Sequence, residues 1–328
     1  MGTAVTPFGI TKTGAQVDAV HLSGFGLHAT ILTYGAILQD VRLDGIAHGL
    51  TLGSDRLRDY EDRMIYHGAI IGPVANRLSG AVVTIDGVAH PLEANLNGQH
   101  MLHGGSSGTH KKIWNIDNIS RKSVTFSTYL QNGEAGFPGN RTITARYDII
   151  EGPAMRLTLT TISDAPSVAN ATNHSYWNLD GTDHMRDHVL RIAAPRYLPT
   201  NASAIPTGQV ATVTGTAFDF TAGKHLVPGA PPLDTTFCVA NGQRPLTECA
   251  WLHGASGITL AVSTTEAGVH VFDASVARRP GCPYYEGIAI EAQGWPDAPR
   301  HAHFPTVAIM PDRPVTQMTR WCFARNHT

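Results

Sequence analysis

Short runs of alternating apolar and polar residues recur along the chain. In MRLTLTTIS (155–163), the apolar residues alternate with Arg and Thr, which is the period of two typical of a half-buried β-strand. GVHVFDA (268–274) and GIAIEAQGW (287–295) repeat this pattern. These runs predict strands with one face turned toward a core.

Turn signals separate the runs. AVVTIDGVAHPL (81–92) predicts one hairpin, and only GSDRLRDYEDR (53–63) predicts a short helix. Gly after Asn or Asp tolerates the positive φ of a tight hairpin turn. Such pairs include Asp44-Gly45, Asp86-Gly87, Asn132-Gly133, Asp180-Gly181 and Asn241-Gly242. The predicted fold is therefore all-β, a large antiparallel β-sandwich with few short helices, in a single domain over residues 1–328.

Composition narrows the possible partners. The 328 residues are 42% hydrophobic, which is enough for a large core, and the net charge is -2. Because no basic stripe occurs, no nucleic-acid partner is expected. No apolar run is long enough for a membrane helix and no basic surface helix is apparent, so no membrane contact is expected. The amino terminus lacks a secretory pattern, so a cytoplasmic protein is expected.

Neither the cysteines nor the paired histidines match a metal-binding pattern. Cysteine occurs four times without a C-x-x-C pair, which predicts reduced thiols at Cys238, Cys249, Cys282 and Cys322. His100 with His103 and His301 with His303 lie in loops rich in Gly and Pro and do not fit H-E-x-x-H. No metal and no cofactor are therefore expected.

The stretch ATNHSYWNLDG (171–181) combines hydrogen-bonding side chains with two large aromatics. Such a mixture suits a ligand that is polar at its rim and apolar on its faces, such as a sugar. Alternation places Tyr176 and Asn178 on the strand face of His174, while Trp177 points the other way and is expected in the core. Tyr176, Trp177 and Trp295 are the candidates for stacking on a sugar, with core packing expected instead for at least one of them, foremost Trp177.

Two carboxylates and two further histidines are candidates for chemistry. Glu291 ends the apolar run Ile-Ala-Ile, where partial burial would raise its pKa and make it a general base. A solvent-facing or Arg-paired Glu291 is the structural alternative. Asp234 opens an apolar run but could be a turn residue. His103 precedes a Gly-rich loop, and His270 alternates with two valines and so faces away from them.

Several motifs, in order along residues 30–323, resemble the aldose 1-epimerase (galactose mutarotase) family. Two are an Ala-Asn-Arg triplet followed by a hairpin and a Leu-His-Gly-Gly loop. Another is NHSYWNLDG, which is similar to the family's Asn-His-Ser-Tyr-Phe-Asn-Leu motif. The matching segments are 51–92, 97–114, 173–181, 199–208, 217–220, 233–237, 288–299 and 304–315.

The resemblance implies a galactose mutarotase-like supersandwich, without metal or organic cofactor, that interconverts the α and β anomers of free aldoses such as glucose, galactose or xylose. It places the base on Glu291 and the acid on His174. The substrate-binding positions that it implies are Arg77, Asn76, His103, Asp234 and His270.

This chain departs from the family pattern at several of these sites. Pro73 stands where the family often has Arg, and Thr235 and Thr236 follow Asp234 where the family often has Asn or His. His270 replaces a Gln, and Trp295 stands where Phe or Tyr is usual. The sugar preference is therefore open, as is the choice between monomer and homodimer.

Other functions remain compatible with the residues. A non-catalytic sugar-binding or regulatory protein could keep the same pocket. An epimerase of phosphorylated hexoses would need additional cationic side chains, which are not evident. A glycosidase could pair Glu291 with Asp234, but His174 would then have no role.

Overall fold

Antiparallel strands make up most of the chain. The computed structural model describes residues 4–325. Its strands are β1 (Ala4–Ile10), β2 (Gln16–Gly24), β3 (Leu27–Leu32), β4 (Leu38–Leu43), β5 (Ile70–Ile71), β6 (Arg77–Leu78), β7 (Val82–Ile85), β8 (Val88–Pro91), β9 (Met101–Leu102), β10 (Asn115–Ile119), β11 (Ser123–Leu130), β12 (Arg141–Ile150), β13 (Ala154–Ser163), β14 (Ser167–Val168), β15 (Thr172–Asn173), β16 (Tyr176–Trp177), β17 (Val189–Ile192), β18 (Arg196–Leu198), β19 (Ala211–Thr212), β20 (Lys224–His225), β21 (Asp234–Cys238), β22 (Thr247–His253), β23 (Ile258–Thr264), β24 (Gly268–Phe272), β25 (Ile288–Gln293), β26 (Ala308–Ile309) and β27 (Val315–Arg325).

Helical structure is sparse, as predicted. The short helix α1 (Leu57–Tyr60) lies within the predicted segment 53–63. Single 3₁₀ turns occupy Ser79–Ala81, Gly105–Ser107, Thr109–Lys111, Glu134–Gly136 and Ala298–Arg300.

Three large sheets organise the strands. A nine-stranded sheet has the order β10-β11-β12-β13-β27-β23-β22-β17-β20, and a six-stranded sheet has the order β16-β25-β24-β21-β18-β19. Strands β1 to β4 form a third sheet, and the pairs β5-β15, β6-β9, β7-β8 and β14-β26 complete the pattern. The predicted all-β antiparallel fold is confirmed. The single domain stays a prediction, and its expected ends, Met1 and Thr328, lie outside the described residues.

The core lies between the apolar faces of these sheets. Strand β13 shows how the sequence produces it, because its alternate residues Met155, Leu157 and Leu159 are buried as the period of two predicts. Trp177 is fully buried in the same core, with ring centroids 5.8 Å from Trp321 and 5.7 Å from Phe323. The prediction that Trp177 belongs to the core is confirmed.

One of the five expected hairpin turns has the predicted geometry. Asp86 and Gly87 both have positive φ, 49° and 79°, and they join β7 to β8 as a two-residue loop with Ile85 opposite Val88. In the other four pairs the Asn or Asp keeps negative φ. The type I′ prediction is wrong there, because those pairs lie in longer connections that do not require two consecutive left-handed residues.

The six-stranded sheet has apolar side chains on one face and polar side chains on the other. Val269, Val271 and Ile290 face the core. The alternating residues His270 and Glu291 face the other way, yet they are also buried. A buried polar sheet face is costly unless its groups find partners, so this face marks the place to look for a site.

Replacement of Trp177 tests the core assignment. Trp177→Ala should lower the free energy of unfolding by roughly 3–5 kcal/mol, because it removes a fully buried ring and leaves a cavity. Urea denaturation monitored by circular dichroism measures the change. Ile162→Ala is the matched control, since Ile162 is 47% exposed on β13 and its loss should cost little. Equal effects of the two substitutions would contradict the assignment.

Candidate active site

Strand register brings three polar side chains into one row. Thr236 on β21 lies opposite His270 on β24, and His270 lies opposite Glu291 on β25. Residues directly opposite one another project from the same face of a sheet, about 5 Å apart. Asp234 lies two residues before Thr236 on β21, so it shares that face.

A small cavity of about 250 Å³ opens onto this row. All seven side chains expected from the sequence line it: Glu291, His174, Arg77, Asn76, His103, Asp234 and His270. Two larger cavities, of about 570 and 550 Å³, contain none of them. The small cavity is therefore the candidate site, and its volume suits a ligand smaller than a typical drug molecule.

Glu291 and His174 form a buried pair. Glu291 Oε1 lies 3.5 Å from His174 Nε2, and the two side chains are 1% and 5% exposed. Burial raises the pKa of Glu291 well above its usual value, and the negative charge of Asp234 adds to the effect. Burial likewise lowers the pKa of His174 to about 3, and the nearby His270 contributes. Both groups therefore favour their neutral forms.

Each member of this pair keeps an unused polar atom. Glu291 Oε2 and His174 Nδ1 are buried and have no hydrogen-bond partner within the described part of the protein. An unsatisfied buried polar atom costs about 1–3 kcal/mol, and a bound ligand with hydroxyl groups would satisfy it. The expectation of a desolvated Glu291 with a raised pKa is confirmed.

Arg77 holds Asp234 with two hydrogen bonds. Arg77 Nη2 donates to Asp234 Oδ2 at 2.8 Å, and Arg77 Nη1 donates to Oδ1 at 3.2 Å. Burial alone would raise the pKa of Asp234, but His270 and Arg77 outweigh it and hold that pKa well below its usual range. Asp234 is therefore ionised, and it is a strand residue of β21 rather than a turn residue.

His270 uses both of its ring nitrogens within the protein. Nε2 lies 2.9 Å from Asp234 Oδ1, and Nδ1 lies 2.9 Å from Thr236 Oγ1. His270 also faces away from its two neighbouring valines, as predicted.

Asn76 and His103 are hydrogen-bonded to each other and form the opposite wall of the cavity. The backbone N–H of Asn76 donates to His103 Nδ1 at 3.1 Å, and the N–H of His103 donates to the Asn76 carbonyl at 3.0 Å. Both residues have positive φ, 62° and 53°, which is uncommon for residues other than glycine. Such strained positions cluster at ligand sites.

Aromatic side chains that the sequence did not single out complete the wall. Tyr66 stacks on His174 with an interplanar angle of 19° and lies 4.6 Å from His103, measured between ring centroids. Phe272 lines the cavity and lies 6.2 Å from Tyr176. Strand alternation places Phe272 on the same face as His270, so the sequence pattern could have identified it. Tyr66 follows the short helix, and no local pattern marked it.

Two sequence expectations are wrong: Asn178 does not share the cavity face of His174, and Trp295 is not placed to stack on a sugar in the cavity. Asn178 lies outside this cavity, where its amide donates to the carbonyls of Thr182 and Glu286 at 2.9 and 2.6 Å. The strand is interrupted between β15 and β16, so alternation does not extend from His174 to Asn178. Trp295 is buried away from the cavity, and its Nε1 donates to the Ala267 carbonyl.

The histidine pairs His100/His103 and His301/His303 are not arranged as metal sites. Within residues 4–325, no group of three or more His, Cys, Asp and Glu side chains is arranged to hold a metal ion. His100 Nδ1 accepts from the Gly80 amide, and His303 Nε2 lies 2.8 Å from the Gly208 carbonyl oxygen.

Pro73, a departure from the family pattern, does not line the cavity. No helix of the described chain has the length and apolar character to span a membrane.

Comparison with known proteins identifies the family. The aldose 1-epimerase family model matches residues 18–320. Galactose mutarotase from Bos taurus is 33% identical, over 97% of this chain and 97% of its own length. Aldose 1-epimerase from Escherichia coli (strain K12) is 30% identical, over 91% of this chain and 92% of its own length. The chain belongs to the aldose 1-epimerase family.

Solved structures have the same architecture as this aldose 1-epimerase family member. A GalM/aldose epimerase homologue from C. elegans superposes with a TM-score of 0.87 at 27% identity, covering 94% of this chain and 99% of that one. Galactose 1-epimerase from Lactobacillus acidophilus NCFM gives a TM-score of 0.84 at 24% identity, with 99% of each chain covered, and supports the fold. The predicted mutarotase-like sandwich is confirmed, and membership makes the chain an isomerase that interconverts sugar anomers.

Buried histidines behind the site should make stability depend on pH. His110 is 1% exposed, packs against Tyr66, and has no hydrogen-bond partner for either ring nitrogen within the described residues. Burial lowers its pKa to about 3, and Lys111 contributes. Because the unfolded histidine binds a proton near its usual pKa, the folded state loses stability as the pH falls below about 6.5.

His110→Phe should therefore weaken this acid sensitivity. The free energy of unfolding of the wild type should fall between about pH 7 and pH 5, and the variant should lose roughly 2 kcal/mol less over that interval. Urea denaturation at the two pH values gives the difference, in which any constant packing strain cancels. His225→Gln, at an exposed position of β20, is the control and should keep the wild-type slope. An unchanged slope in His110→Phe would contradict the assignment.

Proposed function

We propose that Glu291 is the general base and His174 the general acid of an aldose 1-epimerase that acts on unphosphorylated aldoses. The observation that carries the proposal is the buried pair, 3.5 Å apart, with one unused polar atom on each partner at the cavity. Opening a hemiacetal requires proton removal from the anomeric hydroxyl and proton donation to the ring oxygen. A carboxyl and an imidazole at one small cavity supply these two functions.

The proton transfers balance over a full cycle. Glu291 takes the proton of the anomeric hydroxyl, the bond between C1 and the ring oxygen breaks, and His174 donates a proton to that oxygen. The open aldehyde rotates about its C1–C2 bond. On closure, His174 takes back the proton of the attacking hydroxyl, and Glu291 returns its proton to the new anomeric oxygen. Each properly placed group contributes about 10²–10⁴ in rate.

One proton shared by the pair is sufficient for this cycle. A protonated Glu291 beside a neutral His174 contains as many protons as a carboxylate beside an imidazolium. Burial favours the neutral arrangement in the free protein. Hydrogen bonds from a bound sugar favour the charged arrangement, because they solvate both ions at the moment of reaction. The reactive form therefore needs no proton from solvent.

The hydroxyl-binding groups lie beside this pair. Arg77 and Asp234 form a charged hydrogen-bonded unit at the cavity, and Asn76 and His103 form its other wall. Charge-assisted hydrogen bonds of this kind fix the orientation of a polyhydroxylated ring. Tyr176 and Phe272 offer apolar surface for its C–H groups.

The competing functions fit the geometry less well. A glycosidase needs a second carboxyl group of suitable pKa. In such a pair the ionised Asp234 would be the nucleophile or base, but hydrogen bonds from Arg77 and His270 already engage both of its oxygens, and His174 would have no role. A phosphorylated substrate would need cations held within the cavity. Of the two arginines that line it, Arg77 is already paired with Asp234, and Arg63 is exposed to solvent. Nothing in the comparisons favours a non-catalytic protein.

A cytoplasmic location and a monomeric or homodimeric state stay expectations from the sequence.

Polarimetry tests the proposed activity and its two catalytic residues. The wild type should accelerate the mutarotation of freshly dissolved α-glucose, α-galactose or α-xylose beyond the buffer rate. Glu291→Gln and His174→Asn should each lower kcat by about 10² or more, because each removes one proton-transfer group. Glu248→Gln, a matched change at an exposed carboxylate of β22, should retain the wild-type rate.

The outcomes of this test are distinct. A wild type without rate enhancement on any of the three sugars overturns the proposed substrate class. A folded Glu291→Gln or His174→Asn variant with near wild-type kcat removes that residue from its role. Circular dichroism spectra of all variants establish that they are folded.

The shared proton also predicts a particular pH profile. A second proton enters the pair only near the lowered pKa of His174, about 3, so kcat/KM should persist down to about pH 4. On the alkaline side, kcat/KM should fall once the pH exceeds the raised pKa of Glu291, because the shared proton is then lost. Polarimetry across this range, with the buffer-catalysed rate subtracted, gives the profile. An acid limb at or above pH 4.5 would indicate independent groups instead.

A further inference from the structure

The side of the cavity that holds the sugar hydroxyls contains a continuous chain of hydrogen bonds. Its members are Thr236, His270, Asp234 and Arg77, and the distances between successive partners are 2.9, 2.9 and 2.8 Å along the shortest path. Thr236 and His270 are 3% and 4% exposed. A buried chain of this kind is rigid, because each group can satisfy its hydrogen bonds in few other arrangements.

The chemistry of Asp234 sets the direction of the chain. An ionised carboxylate only accepts hydrogen bonds, so Nε2 of His270 must carry a hydrogen and donate to Asp234 Oδ1. In the neutral imidazole, Nδ1 is then an acceptor, and the Thr236 hydroxyl donates to it. Asp234 therefore selects the tautomer of His270, and the Thr236 hydroxyl holds that ring in place through Nδ1.

This arrangement leaves His270 without a free hydrogen-bonding atom for a ligand. An imidazole has two nitrogens, and both are engaged by Asp234 and Thr236. Asp234 itself is different, because its side chain is 34% exposed at the cavity and, among the described residues, its Oδ2 accepts a hydrogen bond only from Arg77. A carboxylate oxygen can accept more than one hydrogen bond, so Asp234 Oδ2 can still receive a sugar hydroxyl.

We infer that His270 is a positioning residue rather than a direct sugar ligand, and that Thr236, acting through His270, fixes the carboxylate of Asp234 for one hydroxyl of the aldose. This inference rests on the proposed function and deepens it. The residue that replaces Gln at position 270 thus acts together with a departure at position 236, and the two form one unit on adjacent strands.

Paired substitutions on β21 separate this role from simple packing. Thr236→Val removes the hydroxyl at nearly constant shape, so it should raise KM about three- to tenfold, the size of one hydrogen bond, while kcat changes by less than about twofold. Thr236→Ser restores the hydroxyl and should recover a KM within about twofold of the wild type. Thr235→Val is the matched control, because Thr235 is the adjacent buried residue on the opposite face of the strand.

The kinetic outcomes either support or overturn the inference. It is supported if Thr236→Val alone raises KM and Thr236→Ser reverses the effect. It is overturned if Thr236→Val and Thr235→Val give the same KM, or if Thr236→Val lowers kcat as much as kcat/KM. If the wild type binds glucose without accelerating its mutarotation, the proposed function fails, and the same ratios are measured as Kd by NMR titration with glucose.

A spectroscopic measurement on the wild type needs no catalysis. Nitrogen-15 NMR of the imidazole rings, with His270→Asn used to assign the signal, should show His270 with its hydrogen on Nε2. Thr236→Val should change that signal, and Thr235→Val should not. A wild-type His270 with its hydrogen on Nδ1 alone would overturn the inference whatever the kinetics show.

Discussion

The register between β21, β24 and β25 is the constraint on which the site depends. It aligns Thr236, His270 and Glu291 on one face, while Val269, Val271 and Ile290 occupy the core face. A slip of one residue would exchange these two sets, moving charges into the core and apolar groups into the cavity. The apolar face therefore enforces the geometry of the polar face, so that folding energy and site geometry arise from one pattern.

The two carboxyl groups on that polar face have opposite properties, because only Asp234 has hydrogen-bonding partners that outweigh burial. Glu291 Oε2 has no hydrogen-bond partner among the described residues, and burial keeps the pKa of Glu291 raised, which suits the proton transfer proposed for it. Asp234, on the same face, is surrounded by donors from Arg77 and His270 and stays ionised. When the surroundings of two carboxyl groups shift their pKa values in opposite directions, the groups can take different roles. One can transfer protons while the other binds the ligand as an anion.

Local pattern predicted the strands better than it predicted the cavity. Alternation placed β13, β24 and β25 and the face of Glu291, because period two follows directly from strand geometry. It failed at Asn178, where a break in the strand cancels the alternation. Arg77 and Asn76 were found only through family resemblance, His103 was also noted beside its Gly-rich loop, and Tyr66 was not found. Their meeting depends on long-range contacts between loops and short strands, which no local pattern encodes.

Two of the departures from the family pattern, Thr236 and His270, are hydrogen-bonded to each other, whereas Thr235 lies on the opposite face of β21 and does not line the cavity. Thr236 and His270 belong to the side that holds Asp234, whereas Glu291 and His174 match the family's reacting pair. Pro73 and Trp295 do not line the cavity at all. If Glu291 and His174 react with the sugar and Asp234 binds one of its hydroxyls, a change beside Asp234 would alter which sugar is bound, while the pair would set what happens to it. The proton chemistry should therefore be common to the family, and the sugar preference of this chain should be sought on β21 and β24.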